Sequence, residues 1–131
     1  MTFILGNIND RSVLVLDDFY FDVQAVSNGA LSSDPMDALG NCDLLHRLSG
    51  LLKDATPTGR VAAETIGAAV PRPKNCFAIG LNYKSHAEES KMQLPTNPLV
   101  FTKFPSCLVG PHSDIDLRSD GVDYEVELVV V

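Results

Sequence analysis

Apolar and polar positions alternate along the chain in a way that sets its first elements. Val13 to Leu16 is a short apolar strand, Asp17 and Asp18 are turn formers, and Phe19 to Val26 restores aromatic and β-branched residues. That pattern predicts a β-hairpin over residues 13–26. A helix start follows, with Asp34 at the N-cap, Pro35 at the first helical position and Asp37 adding negative charge to the first turn. Leu44, Leu45, Leu48, Leu51 and Leu52 recur at helical spacing as one apolar stripe, with Asp43, Arg47 and Lys53 facing elsewhere. The helix is therefore predicted to run to about Lys53. His46 falls off the stripe and reads as a surface residue.

Between Ala55 and Lys74 the composition shifts to Thr, Gly, Ala and Pro, and Pro57, Gly59, Gly67, Pro71 and Pro73 punctuate any helix over Val61 to Ile66. A boundary is expected there, separating a small N-terminal domain, residues 1–70, from residues 71–131. Beyond it an apolar strand, Cys76 to Ile79, runs into Gly80, and a polar segment rich in His and Glu and two prolines, Pro95 and Pro98, come next. Tyr124 to Val131 alternates and then becomes the aliphatic run Leu128 to Val131, read as a buried strand. A buried strand normally feeds a connection, so the chain is expected to be a truncated piece of a longer domain.

Composition narrows the class. The 131 residues are 45% apolar and 21% charged, which suits an ordered α+β domain rather than a disordered or fibrous chain. Seventeen acids against ten bases give a net charge of −7 with no basic cluster, so neither nucleic acid nor an anionic membrane is the expected partner. No apolar run approaches the roughly 20 residues of a bilayer span, and nothing near Met1 resembles a signal peptide, which makes a cytoplasmic location the expectation. The three cysteines lack any C-x-x-C spacing, so no disulfide framework or zinc ribbon is expected. Cys76 and Cys107 read as buried small apolar residues.

Two segments carry candidate chemistry. In Asp123-Tyr124-Glu125-Val126-Glu127-Leu128, strand periodicity sends Asp123, Glu125 and Glu127 to one face. Glu125 and Glu127 would stand about 6.5 to 7 Å apart along a strand, close enough for both carboxylates to converge on one hard cation such as Mg²⁺. The alternative is a half-exposed strand with its acids in water. In Asn82-Tyr83-Lys84-Ser85-His86-Ala87-Glu88-Glu89, a short helix capped by Ser85 would place His86 and Glu89 three residues apart on one face. A carboxylate there can raise the basicity of the imidazole and make it a general base. Here the alternative is a solvated polar helix.

From Pro71 to Val131 the chain resembles the fumarylacetoacetate hydrolase family, in its bacterial and mitochondrial members with a short N-terminal domain. The resemblance runs in unbroken order through Pro73-Lys74, Phe77-Ala78-Ile79-Gly80-Leu81-Asn82-Tyr83, His86 and Glu89. It continues through Pro95, Pro98, Phe101-Thr102-Lys103 and Val109-Gly110-Pro111 to Asp123-Tyr124-Glu125-Val126-Glu127-Leu128.

The resemblance implies an α+β protein, in which a small N-terminal sheet and helix precede the start of a β-rich roll. It implies a metal-dependent enzyme of 2-oxo acids that hydrolyses carbon–carbon bonds in acylpyruvates, or alternatively an isomerase or decarboxylase of 2-oxo dicarboxylic acids in aromatic catabolism, or a non-catalytic remnant. By the same resemblance Glu125 and Glu127 bind Mg²⁺ or Mn²⁺, and His86 and Glu89 form a water-activating dyad on a lid helix. A further metal-binding Asp lies downstream in the family, and full-length members usually form homodimers. Some members carry Arg where this sequence has Leu81. Lys103 is a candidate for positive charge near a 2-oxo acid substrate, or a solvent-facing lysine beside a strand.

Overall fold

Asn9 and Asp10, with φ of 51° and 59°, make the tight turn that folds the first two strands together. Both positions of such a turn need left-handed backbone, which Asn and Asp tolerate. The structure is a computed structural model and describes residues 3–131. Strand β1 (Ile4–Ile8) pairs antiparallel with β2 (Arg11–Leu16), and Asp17-Asp18 turns β2 into β3 (Phe19–Asp22). A two-residue strand, β4 (Gly59–Arg60), adds to β3, giving the order β1-β2-β3-β4. The predicted hairpin and its turn are present, but its second strand stops at Asp22 instead of Val26. The Asp22 carboxylate accepts from the Ala25 N–H at 2.9 Å and so starts helix α1 (Val23–Val26).

The helix predicted to reach Lys53 is three shorter pieces: α2 (Pro35–Leu39), α3 (Cys42–Ser49) and a 3-10 turn at Leu52–Asp54. Gly40 and Gly50 stand at the ends of α2 and α3. Their backbone freedom makes each a weak point at which the helix stops. The expected N-cap is present: Asp34 Oδ1 accepts from the Met36 N–H at 2.8 Å. Of the leucine stripe, Leu45, Leu48 and Leu52 are buried with Leu14, Phe21, Val23, Leu31 and Ala38, and Leu44 packs beside them. Leu51, just past the break at Gly50, is exposed. His46 is exposed and meets the Phe3 ring edge-on at 4.7 Å.

Residues 65–68 lie along the start of the sheet. Asn9 donates to Thr65 O, Gly67 donates to Asn7 O, and the Asn7 side chain donates to Ala68 O at 2.9 Å. A Cβ on Gly67 would lie 2.9 Å from Asn7 Nδ2, and a Cβ on Gly110 would lie 3.1 Å from Ile66 O. Neither glycine can gain a side chain without displacing its neighbour, so the stack of Asn7, Gly67 and Gly110 ties the later half of the chain to the sheet. That later half contains a second antiparallel pair, β5 (Phe77–Gly80) with β6 (Leu99–Thr102), and the connection between them carries helix α4 (Lys84–Glu89). The architecture is α+β, and no helix among the described residues is long and apolar enough to cross a membrane. Cys76 is half-buried, whereas Cys107 is exposed, against expectation, on a surface 3-10 turn at Pro105–Cys107.

Asp22 is the polar anchor of the N-terminal layer. Burial works against its charged form, but the Arg11 guanidinium, with Nε at 2.6 Å, and the backbone N–H groups of α1 outweigh it and hold the carboxyl below its ordinary value. Asp22→Ala is expected to cost about 1–2 kcal/mol in urea unfolding, with Asp22→Asn milder because Asn also caps helices. The unfolded carboxyl titrates near about 3.9, so the wild-type advantage is complete above that pH and disappears as pH falls through the lower folded value.

Candidate metal and proton-transfer site

The site begins with a change of direction at the end of β5. Gly80 closes the ladder opposite Leu99, and Leu81 then adopts φ 51°, a left-handed conformation that a non-glycine residue rarely takes. Helix α4 begins at Lys84, after Asn82 and Tyr83. Tyr83 is its N-cap, with its carbonyl accepting from the His86 and Ala87 N–H groups, and Ser85 lies inside the helix rather than capping it. Ala87 is the buried residue of α4, so the helix sits on Ala87 and leaves His86 half-buried.

The acidic segment comes back to this turn. Glu125 Oε1 lies 3.4 Å from His86 Nδ1, and Glu127 Oε2 accepts from Asn82 Nδ2 at 3.2 Å. Two acids two residues apart thus meet two side chains four residues apart. Tyr124 and Val126 are 88% and 86% exposed. The segment is not the buried strand that the alternation predicted. Among the described residues no strand pairs with residues 122–131, and Leu128 to Val131 are exposed. An aliphatic run forms a buried strand only where a neighbouring strand and a covering layer take up its backbone groups and side chains.

The remaining candidates stand apart from this meeting point. Glu89 shares α4 with His86 but is exposed, and the carboxylate recorded at the imidazole is that of Glu125. Lys103 extends the β5–β6 ladder by donating its N–H to Cys76 O, while its Nζ lies 5.3 Å from the centre of the Phe101 ring. Asp123 turns back on its own backbone, accepting from the Tyr124 N–H at 2.8 Å. Asn82 was not singled out by the sequence, although its place in the Leu81-Asn82-Tyr83 run put it next to the predicted helix.

Glu125 and Glu127 offer carboxylate oxygens, the donor type that hard divalent cations prefer. Among the described residues no group of three or more His, Cys, Asp or Glu side chains gathers as a metal cluster. Glu125 and Glu127 thus stand as two carboxylates at the 82–86 turn, without a third such side chain gathered beside them. His86 and Glu125 are 42% and 59% exposed at the side chain, so the pair is open to solvent and to small molecules.

Comparison with known proteins places this segment. The family model described as fumarylacetoacetate hydrolase, C-terminal, matches residues 75–131. Residues 75–131 match the fumarylacetoacetate hydrolase family. A fumarylacetoacetate hydrolase domain-containing protein 2 homolog of Dictyostelium discoideum is 48% identical over 75 residues, which are 55% of this chain and 25% of that protein. The mitochondrial oxaloacetate tautomerase Fahd2a of Rattus norvegicus is 45% identical over 69 residues, 51% of this chain and 22% of that protein. The chain thus matches about a quarter of the length of these curated relatives. The crystal structure of an HpcE-type protein from Mycobacterium smegmatis aligns with a TM-score of 0.69 and 35% identity, covering 86% of this chain and 40% of that one. Members of the fumarylacetoacetate hydrolase family include enzymes, and divalent metal ions are general in it.

The left-handed corner carries a direct test. A β-branched residue at φ near +50° is a steric outlier, so Leu81→Ile should destabilise the turn by about 1–2 kcal/mol. Amide exchange of Ala87 and Ser90 should accordingly speed up by about 5- to 30-fold relative to wild type.

Proposed function

We propose that these residues form part of a metal-dependent site of the fumarylacetoacetate hydrolase family that moves a proton on a 2-oxo acid. The observation that supports the reading is the meeting of Glu125 and Glu127 with the 82–86 turn, which sets one carboxylate at the His86 imidazole and the other at the Asn82 amide. Mg²⁺ or Mn²⁺, held by Glu125 and Glu127, would act there as a Lewis acid that stabilises negative charge developing on the oxygens of a 2-oxo acid. His86 gives and takes the proton. With a carboxylate at Nδ1, the imidazole proton is favoured on that nitrogen, and Nε2 is left to accept one from the substrate.

Keto–enol tautomerisation of a 2-oxo dicarboxylate suits this arrangement best. The reaction takes one proton from the enol oxygen and places one on the neighbouring carbon, and no water has to be activated. The similarity to the rat oxaloacetate tautomerase over 69 residues supports the same choice. Hydrolysis of an acylpyruvate is the second reading, favoured by the placement of His86 and Glu89 together on α4. It requires the imidazole to activate water with help from Glu89. Lys103 would contribute positive charge to substrate binding only if its ammonium left the Phe101 ring.

The test uses a polypeptide of the relatives' full length that carries these residues. Glu127→Ala is expected to abolish metal-dependent turnover of oxaloacetate enol, followed by its ultraviolet absorbance. His86→Ala should keep the metal and slow the reaction by about 10²- to 10⁴-fold. Glu89→Gln separates the readings: tautomerisation should persist within a few-fold, whereas loss of acylpyruvate hydrolysis with Glu89 would establish the hydrolase. An unchanged rate in His86→Ala would refute the proton-transfer assignment.

A further inference from the structure

Asn82 is the one side chain at the meeting point to which the reading above gives no task. Its Nδ2 donates to Glu127 Oε2 at 3.2 Å, while His86, four residues on, faces Glu125. Both contacts are set up by the left-handed turn at Leu81, which redirects the chain out of β5. We propose that Asn82 is a positioning residue for the cation site: its side-chain amide anchors Glu127 so that the carboxylate's remaining lone pairs are held for a cation shared with Glu125. The proposal rests on the reading of Glu125 and Glu127 as cation ligands and adds to it the group that orients one of them.

The chemistry of the amide suits the task. A carboxylate has about four acceptor positions, and one N–H occupies a single one of them, leaving the others free. An amide is also neutral. A lysine ammonium in the same place would compete with the cation for the carboxylate and repel the cation itself, whereas Asn82 orients Glu127 without adding charge. The anchor matters because Glu127 lies on a segment without secondary structure, and its long side chain would otherwise lose rotamer freedom only when the cation arrives. Hydrogen bonds of this kind to a ligating group typically contribute 10- to 100-fold in metal affinity.

Two measurements on this chain test the assignment. In metal-free protein, the ¹H–¹⁵N signals of the Asn82 side-chain amide should move in Glu127→Ala and stay in place in the control Glu64→Gln. In Mn²⁺ titrations followed by the electron paramagnetic resonance of the free ion, Asn82→Leu should bind about 10- to 100-fold more weakly than wild type. Asn82→Gln, which keeps the amide, should recover part of that loss, and Lys84→Ala should match wild type. Asn82 signals that ignore Glu127→Ala overturn the proposal. So does Asn82→Leu binding Mn²⁺ like wild type while Glu127→Ala loses it, and in that case the cation reading stands. Equal binding by Glu127→Ala and wild type would bring down the cation reading and the role of Asn82 together.

Discussion

The left-handed turn at Leu81 is the constraint on which the site depends. Only three residues separate the end of β5 at Gly80 from the start of α4 at Lys84, so the backbone must change direction sharply between them. Leu81, at φ 51°, supplies that change at a steric cost of about 1–2 kcal/mol. Strain of this order persists only where the surroundings hold it, and such positions cluster where function needs a fixed geometry. Here the β5–β6 ladder holds the turn on one side and the burial of Ala87 holds it on the other. The consequence is chemical, because one backbone reversal aims an amide and an imidazole at two carboxylates.

The N-terminal layer contributes in a different way. Its sheet and helices bury an apolar core of their own, and residues 65–68 run from it toward the later half of the chain. The close approach of Gly110 to the backbone of Ile66 and Gly67 leaves no room for a side chain there.

Much of this was legible in the sequence, and the reasons differ from element to element. The Asp17-Asp18 turn and the Asp34 cap announce themselves because short polar side chains substitute for backbone partners. The order of short motifs from Pro73 to Leu128 gave the family resemblance, since residue types that hold a site recur at fixed places. The helix is shorter than its pattern predicts: the leucine spacing continues across Gly50, but periodicity reports which face is apolar and not where the backbone breaks. The acidic segment was read as a buried strand from its aliphatic end, although a strand needs neighbours that no local pattern reveals. The pairing of His86 with Glu125 instead of Glu89 lay beyond local reading too, because it joins residues 39 positions apart through the turn at Leu81. Asn82 was passed over for a similar reason, as an asparagine before a helix resembles any other turn residue.

The central claim is that residues 82–86 and 125–127 form one cation site. The most direct measurement is paramagnetic broadening of the chain's ¹H–¹⁵N spectrum by substoichiometric Mn²⁺. The account predicts that the signals of Asn82, His86, Glu125 and Glu127 broaden first and together, while those of β1, β2 and β3 remain sharp. Broadening centred instead on Asp114, Asp116 and Asp120, with the 82–86 turn left sharp, would contradict it.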